Sequence, residues 1–497
     1  MIKMIVVSIL ILSGSVSADP DEERLEEMLT NIRAATGFRA RNLILNGTGE
    51  ASGLETSFLY YFTPDGRFRI DTDNNLKTIV GFDGKTGWLI DYSGMPYPLQ
   101  GWALEVEQLI AWFISGYWLD PDSPVELDLS EDGRITAQVP SGVVLATIEI
   151  DSVTSIPNKL IWRIYDADCN VTLEDFHDGI ARRVTIKRNG EFTDIKDIEL
   201  HTKSEISDDI FHPIESRPND TVFSKEKDDT IEVRRTDYGL FLIRPRVDGK
   251  DVGWFTVDTG AGRNVIDTRY TEHLMMDIVG TSTAIGVGGT IDVNYRQCKS
   301  IEIGPLEIKN PIFYEIDFGE SGVDNRGGIL GYDFFIRCLV ELDLEEDRIT
   351  IYEPDIRNNR DVAWQEFIFH DNIPAVYCLI EGDIKGLFTI DTGSDTNVAL
   401  HKKLVDDHNL LYDRDVQKVY LGGVGGKIPC FYGSLEWFEL AGHRFEHPEV
   451  LFAGGDQGVF TDQVTAGIIG RGFLSSFRLL IDYPNQRIAF IEKDQLN

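Results

Sequence analysis

The chain has little positive charge, few cysteines and no long apolar run beyond its first residues. Against 83 Asp and Glu stand only 47 Lys and Arg, a formal net charge of -36 over 497 residues. A field of that sign repels phosphate backbones, which excludes nucleic acid as a partner. The acidic residues are dispersed rather than run together, so they belong to folded surface and not to an acidic tail. Five cysteines (Cys169, Cys298, Cys338, Cys378 and Cys430) lie far apart with no C-x-x-C pair, and an odd number cannot all pair within one chain. They read as small buried hydrophobes rather than as metal ligands or nucleophiles. Nine histidines form no H-E-x-x-H or similar cluster. A zinc hydrolase therefore has no support, and neither a metal nor a cofactor is expected. Past the N-terminal stretch, no segment is apolar over the ~20 residues that a membrane-spanning helix needs.

What is present is a hydrophobic content of 42% and an aromatic content of 10%, enough to bury cores in two to four domains at this length. Lys3, the apolar stretch Ile5 to Leu12 and the small residues Val16-Ser17-Ala18 predict an export signal over 1–18 and a periplasmic or secreted product. The competing reading, a membrane anchor, is disfavoured by the shortness of the apolar stretch.

From Pro20 to Ala35, Leu25, Met28, Leu29 and Ile32 recur at helical spacing. Short strands with turn residues between them follow. Phe58 to Phe62 and Arg67 to Ile70 flank Pro64-Asp65-Gly66, and Ile79 to Phe82 and Gly87 to Ile90 flank Asp83-Gly84. Leu104 to Trp118 predicts a second helix, and further strands are expected near 133–138, 143–150, 159–165, 181–187 and 193–201. The strand succession, the turn Asp83-Gly84-Lys85-Thr86-Gly87-Trp88 and the closing Ser207-Asp208-Asp209-Ile210-Phe211 resemble the periplasmic lipoprotein-carrier family. That resemblance implies an α+β half-barrel-like antiparallel sheet over 19–211. The equal alternative is an accessory domain without a ligand, since fold likeness does not carry function. Residues 212–237, rich in Asp, Glu, Ser, Lys and Pro, read as a linker, with a new domain starting near Tyr238.

The C-terminal half repeats itself. Gly253-Trp254-Phe255-Thr256-Val257-Asp258-Thr259-Gly260-Ala261 returns 133 residues later as Gly386-Leu387-Phe388-Thr389-Ile390-Asp391-Thr392-Gly393-Ser394. A turn glycine precedes each copy (Gly249, Gly382), and Asn264-Val265 and Asn397-Val398 follow. Ile329-Leu330-Gly331 returns as Ile468-Ile469-Gly470, and between the motifs each copy has a glycine-rich hairpin. The hairpins are Gly286-Val287-Gly288-Gly289 and Gly422-Gly423-Val424-Gly425-Gly426. Two such halves predict a pseudo-dimer whose copies share one site, against the alternative of two independent domains.

Each motif residue has a physical reason. An apolar strand delivers each Asp to its end, and Gly260 and Gly393 let backbone turn sharply and approach closely. Thr259 and Thr392 can hydrogen-bond across to the facing loop. Gly331 and Gly470 let their strands pass behind the Asp loops. Together these residues resemble the aspartic peptidases, and 238–492 fits the retropepsin-like branch in a fused, single-chain form. The resemblance implies Asp258 and Asp391 as the catalytic dyad, acting on a polypeptide in a monomer. Thr259, Gly260, Ala261, Thr392, Gly393 and Ser394 would support the catalytic loops. Gly286 to Gly289 and Gly423 to Gly426 would act as flaps, and Gly331 and Gly470 as the glycines behind the dyad. Ser394 could donate its hydroxyl to a carboxylate. No flap tyrosine of the pepsin type stands near 285–295 or 421–428, which sets the chain apart from typical pepsins.

The expected fold is mainly β. Two acid-protease β-barrel lobes, 238–356 and 357–497, are related by a pseudo-two-fold axis and preceded by the sheet domain. The alternatives are a catalytically inactive peptide-binding pseudo-peptidase and a lipid or lipoprotein carrier acting through the N-terminal domain.

Overall fold

The computed structural model describes residues 20–492 except 165–166, 178, 189–190, 202–204, 214–219, 238, 320–322, 345 and 355–361. The expected export segment 1–18, Tyr238 and the expected join of the lobes at 356/357 lie outside the described residues. The chain is mainly β.

Helix α1 (Pro20–Thr36) opens with Asp21, Glu22 and Glu23 in its first turn and buries Leu29 and Ile32. Acidic residues there complement the positive end of the helix dipole. The strands that follow form a thirteen-stranded antiparallel sheet whose central pair is Leu43–Ala51 with Glu191–His201. On one side the chain meanders outward from Leu54–Phe62 to Pro96–Leu99. On the other it returns from the far edge, Glu126–Leu129, to the centre. Helix α2 (Gly101–Ser115) joins the two edges. It buries Trp102, Val106, Leu109, Ile110, Trp112 and Phe113, and a helix apolar on nearly every side must be enclosed. Its residues share one core with Phe62 and Phe82 of one arm and with Ile148, Trp162 and Val184 of the other. Its C-terminus stops at Gly116, whose φ of 79° is the left-handed cap that glycine takes most readily. The cavity left beside α2, lined by Phe38, Leu43, Phe113, Trp118 and Ile180, measures about 40 Å³, room for about three waters. The two stretches that carry the carrier-like resemblance meet in space: Trp88 Nε1 donates to the Phe211 carbonyl at 2.7 Å.

The C-terminal half places the repeated motifs in equivalent strands. Trp254–Val257 runs parallel to Arg326–Leu330, which pairs antiparallel with Val265–Asp267. In the second copy Ile384–Ile390 runs parallel to Gly467–Ile469, which pairs antiparallel with Val398–Leu400. The turn glycines Gly249 and Gly382 have φ of 70° and 73°, a conformation costly for any residue with a Cβ.

A six-stranded sheet joins the copies. Its order is Thr230–Glu232, Arg348–Tyr352, Leu339–Asp343, Phe477–Asp482, Arg487–Glu492 and Trp364–Glu366. The middle pair comes from different copies, with Leu342 opposite Leu479 and Val340 opposite Ile481. Each half of this sheet mirrors the other, as a two-fold interface requires.

This sheet also corrects the linker reading. Thr230–Glu232 is an outer strand of the six, in the place that Trp364–Glu366 takes in the second copy. Thr221–Phe223 pairs with Leu306–Lys309, and Arg234–Arg235 pairs with Phe241–Ile243. Asp220 binds the buried Arg337 guanidinium. Edge strands need backbone partners on one side only, so a polar, charge-rich sequence can still form them.

Met95 and Tyr97, just ahead of α2, insert into the core of the C-terminal half. Tyr332 donates to Asp91 at 2.8 Å, Gln486 donates to the Pro98 carbonyl at 3.0 Å, and Tyr92 bonds Asp333. The N-terminal sheet is thus anchored on the strand-to-helix turn that follows Gly331. All five cysteines are buried.

Leu479 is fully buried in the joining sheet. Leu479→Ala is expected to cost about 2–5 kcal/mol of stability through lost burial and the cavity left behind, read as a lowered midpoint in urea unfolding.

Candidate active site

Asp258 and Asp391 stand just past the ends of their apolar strands, where the neighbouring strand holds each backbone. The Asp258 N–H donates to the Leu330 carbonyl at 3.0 Å and the Asp391 N–H to the Ile469 carbonyl at 2.9 Å. Each threonine that follows reaches across to the other copy. The Thr259 N–H donates to the Thr392 hydroxyl and the Thr392 N–H to the Thr259 hydroxyl, both at 3.0 Å. The Thr259 hydroxyl then donates to the Ile390 carbonyl at 2.7 Å, and the Thr392 hydroxyl to the Val257 carbonyl at 3.0 Å. Both threonines are buried. Four hydrogen bonds therefore lock the two loops together at their closest approach.

The glycines of the motif act by what they lack. A Cβ on Gly260 would overlap the Asp391 carboxyl group, and a Cβ on Gly393 would overlap that of Asp258. The same glycines donate their N–H groups to their own aspartates, Gly260 to Asp258 Oδ1 at 2.8 Å and Gly393 to Asp391 Oδ1 at 2.7 Å. Asp391 Oδ1 also accepts the Ser394 N–H at 3.0 Å. The Ser394 side chain does not take the role expected for it. Its hydroxyl pairs with the Thr396 hydroxyl at 2.9 Å, because a partner two residues away offers a local bond of little entropic cost. Ser394 serves the dyad through its backbone.

Behind the loops, Gly331 and Gly470 lie where a Cβ would strike the carbonyls of Ala261 and Thr396. The Gly331 N–H donates to Asn264 Oδ1 at 2.9 Å, and Asp333 accepts the Asn264 N–H at 2.6 Å. The Ala261 carbonyl accepts the Tyr332 N–H at 2.9 Å. Tyr483, which sequence reasoning did not single out, is fully buried and donates to the Thr259 carbonyl at 3.3 Å. Its only advance signal was an aromatic residue at the turn between the last two strands of the repeat.

Each carboxyl group lies against the glycine of the opposite loop, so the two acids face each other. Burial pushes both above the ordinary carboxylate range. Asp391 is raised further, with the Asp258 charge as the next cause. Two half-buried carboxylates facing each other cannot both ionise cheaply, so the pair holds one proton.

The glycine-rich hairpins meet at their tips, and the first packs beside Ala261 of the Asp258 loop. The first flap is Asp277–Gly286 with Gly289–Gln297, and the second is Gln417–Gly423 with Gly426–Ser434. Gly289 and Gly426 have φ of 127° and 128° at the two turns. The tips touch: the Gly288 N–H donates to the Val424 carbonyl at 2.9 Å. A Cβ on Gly288 would collide with the backbone of Gly425 and Gly426, and one on Gly286 with Val424. Val287 packs into an apolar cluster of the second copy formed by Ala399, Ile428, Leu451 and Phe460. Ala284 and Ile291 of the first flap pack on a matching cluster of Val265, Val293, Ile316 and Ile329, which also touches Ala261.

Residues 243–334 match a family model described as aspartyl protease. No curated protein matches the chain. Among solved structures, the chain is similar to a retropepsin-like aspartic protease from Rickettsia conorii, at 18% identity over 26% of this chain and 92% of that one, with a TM-score of 0.21. It is also similar to an aspartic proteinase from Irpex lacteus, at 11% identity over 53% of this chain and 96% of that one, with a TM-score of 0.36.

Thr259→Ala removes one hydroxyl that both donates and accepts across the interface, leaving a buried N–H and a buried carbonyl without partners. The expected loss is about 2–6 kcal/mol, from ~1–3 for each of the two groups left unsatisfied. Thr259→Ser keeps the hydroxyl and is expected to lose less than half as much. Chemical unfolding of the two variants side by side measures the difference.

Proposed function

We propose that the protein is an aspartic endopeptidase that hydrolyses an extended polypeptide with Asp258 and Asp391 as its dyad. The observation that carries this reading is the approach of two acids from different copies of the repeat, each carboxyl group packed against the glycine of the other's loop. Family likeness over 243–334 supports it. The flap strands would pair with the backbone of the substrate, as an added strand pairs with a sheet edge, and closing them would exclude water from the site.

The singly protonated pair supplies both halves of the chemistry. The ionised carboxylate takes a proton from a water lying between the two groups as that water's oxygen attacks the scissile carbonyl carbon. The protonated carboxyl donates to the carbonyl oxygen as charge develops there. Collapse of the tetrahedral adduct breaks the C–N bond: the amine leaves with the dyad's proton, and a hydroxyl of the adduct returns its own proton to the dyad as its oxygen becomes the carbonyl of the product acid. The dyad is left holding one proton, ready for the next turn. Because the groups titrate as a pair, base and acid are roles and not fixed residues.

A carrier role for the N-terminal sheet finds less support. Helix α2 packs into the core of that sheet with residues from both arms.

The test is cleavage of a mixed peptide library by the purified protein. Asp258→Asn and Asp391→Asn are each expected to lower kcat/KM by at least about 10³-fold, the scale of losing an essential acid–base group, with the fold retained. Substantial activity in either variant sinks the shared dyad, and binding without turnover by the unaltered protein makes it a pseudo-peptidase.

The raised carboxyls also predict a stability signature. The folded protein holds a dyad proton that the unfolded chain releases near pH 4, so stability falls as pH rises through the folded-state pKa. Asp391→Asn removes that titration. Its thermal midpoint relative to the unaltered protein is expected to climb between pH 4 and pH 7, as differential scanning calorimetry would show. Catalysis should follow the same proton and decline on the alkaline side.

A further inference from the structure

Arg326 begins the strand that leads to Gly331. Its backbone is committed to the fold: it lies opposite Trp254, and its carbonyl accepts from Arg269 at 2.8 Å. Its side chain has no such commitment. The guanidinium lies over the Phe318 ring, 4.1 Å from the centroid. Its Nε is buried without a hydrogen-bond partner among the described residues, and no ion pair to it is formed among them.

Three other buried or half-buried arginines are matched to acids: Arg337 to Asp220, Arg296 to Glu315 at 3.0 Å, and Arg263 to Asp333 at 3.4 Å. A chain with 83 acidic residues against 47 basic ones has ample acids to spare. Burying part of a guanidinium without a carboxylate carries a cost that an arriving partner would offset.

Position says where that partner would come from. Phe318 packs on the apolar cluster that links Ala261 of the Asp258 loop, Ile329, and Ala284 and Ile291 of the first flap. Arg326 therefore stands on the wall between flap and dyad, close enough for its charge to act on Asp258. The site is also one-sided. In the second copy the matching position, five residues before Gly470, is Thr465, whose hydroxyl is taken up by Asp462 and His401. The cation that the second copy places near the dyad, Arg471, stands at a different position and donates to the Ser394 carbonyl at 3.1 Å.

We propose that Arg326 is a specificity-determining residue that receives an acidic side chain, Asp or Glu, of the peptide on the Asp258 side of the scissile bond. Stacked on Phe318, the guanidinium presents its edge to a carboxylate, the geometry in which arginine binds such groups by two parallel hydrogen bonds. The proposal rests on the peptidase reading for its consequence in turnover, though not for its consequence in binding.

The test uses the full-length protein and paired peptides that carry Glu or its isostere Gln at each position around the cleaved bond. At one position the Glu peptide is expected to show kcat/KM about 10- to 100-fold above the Gln peptide, the range for a charge-assisted hydrogen bond. Arg326→Met, which keeps length and apolar stacking, should bring that ratio close to one. Arg326→Glu should invert it in favour of a Lys peptide. An unchanged thermal midpoint in Arg326→Met separates this role from a structural one, since an unpaired guanidinium contributes little to the fold. The same peptides titrated against the Asp391→Asn variant read the preference in Kd without catalysis. If no peptide is cleaved but the Glu preference in binding vanishes with Arg326→Met, the peptidase reading fails and this one stands. A ratio near one at every position, or a preference that survives Arg326→Met, overturns it.

Discussion

Two acids pressed together inside a protein repel each other unless a proton stands between them, and the architecture here is built around holding them there. Loss of water from either carboxylate is expensive, and their mutual repulsion adds to that cost. The compensation is rigid and comes from both copies at once. Four threonine bonds cross the axis, and two glycines leave each carboxyl room to approach the opposite loop. The joining sheet fixes the distance between the copies through Leu342 opposite Leu479. A single domain would need two unrelated loops to converge with this accuracy. Duplication achieves it by giving both loops the same local structure and one interface to meet across.

The symmetry is then broken in small ways. Asp391 accepts two backbone N–H groups and Asp258 one. Tyr332 follows Gly331 and carries a hydroxyl bonded to Asp91 of the N-terminal sheet. Its counterpart after Gly470 is Arg471, whose guanidinium bonds the Ser394 carbonyl at 3.1 Å. One copy thus uses its post-glycine residue to dock an accessory domain, and the other places a cation near the dyad. The duplicated frame sets the distances, and the differences between copies set the charges.

The parts of this arrangement legible in the sequence are those under local steric constraint. Asp-Thr-Gly and the hydrophobic-Gly pair admit few substitutions, because each glycine faces backbone or a carboxyl group at contact. The motifs therefore repeat visibly where the rest of the copies have diverged. Thr230–Glu232 was illegible because an edge strand of three residues asks only for backbone pairing, and its flanks of Asp and Arg look like solvated chain. Leu43–Ala51, with Gly47 and Gly49 in its course, lacks the apolar alternation of a half-buried strand although it sits at the centre of its sheet. Tyr483 and Asp220 were hidden for another reason. Their partners lie 224 and 117 residues away, and no local pattern reports such a contact. The Ser394 hydroxyl went to its near neighbour Thr396, a competition that spacing alone does not decide.

The same distinction between local and distant constraint governs the two flaps. Their sequences are alike at the tips, and their turn glycines adopt matching conformations, yet their surroundings differ. The first flap is held from outside. The Thr281 N–H donates to the Ser52 carbonyl at 2.9 Å, Leu76 and Tyr92 pack on the cluster of Val279, Tyr295 and Ile312, and Ile285 touches the core of the N-terminal sheet. The second flap is held by its own lobe, through Cys430 to Ser434 against Glu449–Ala453, and by the opposite tip. It leaves Tyr420 67% exposed. Lifting the first flap means pulling it away from two domains, whereas lifting the second parts only the tips and opens part of one small cluster. A segment opens at lower free energy where less apolar surface must be exposed to water. Opening therefore costs less at the second flap, and the N-terminal sheet, by bracing the first, makes a mechanically lopsided pair from two similar hairpins.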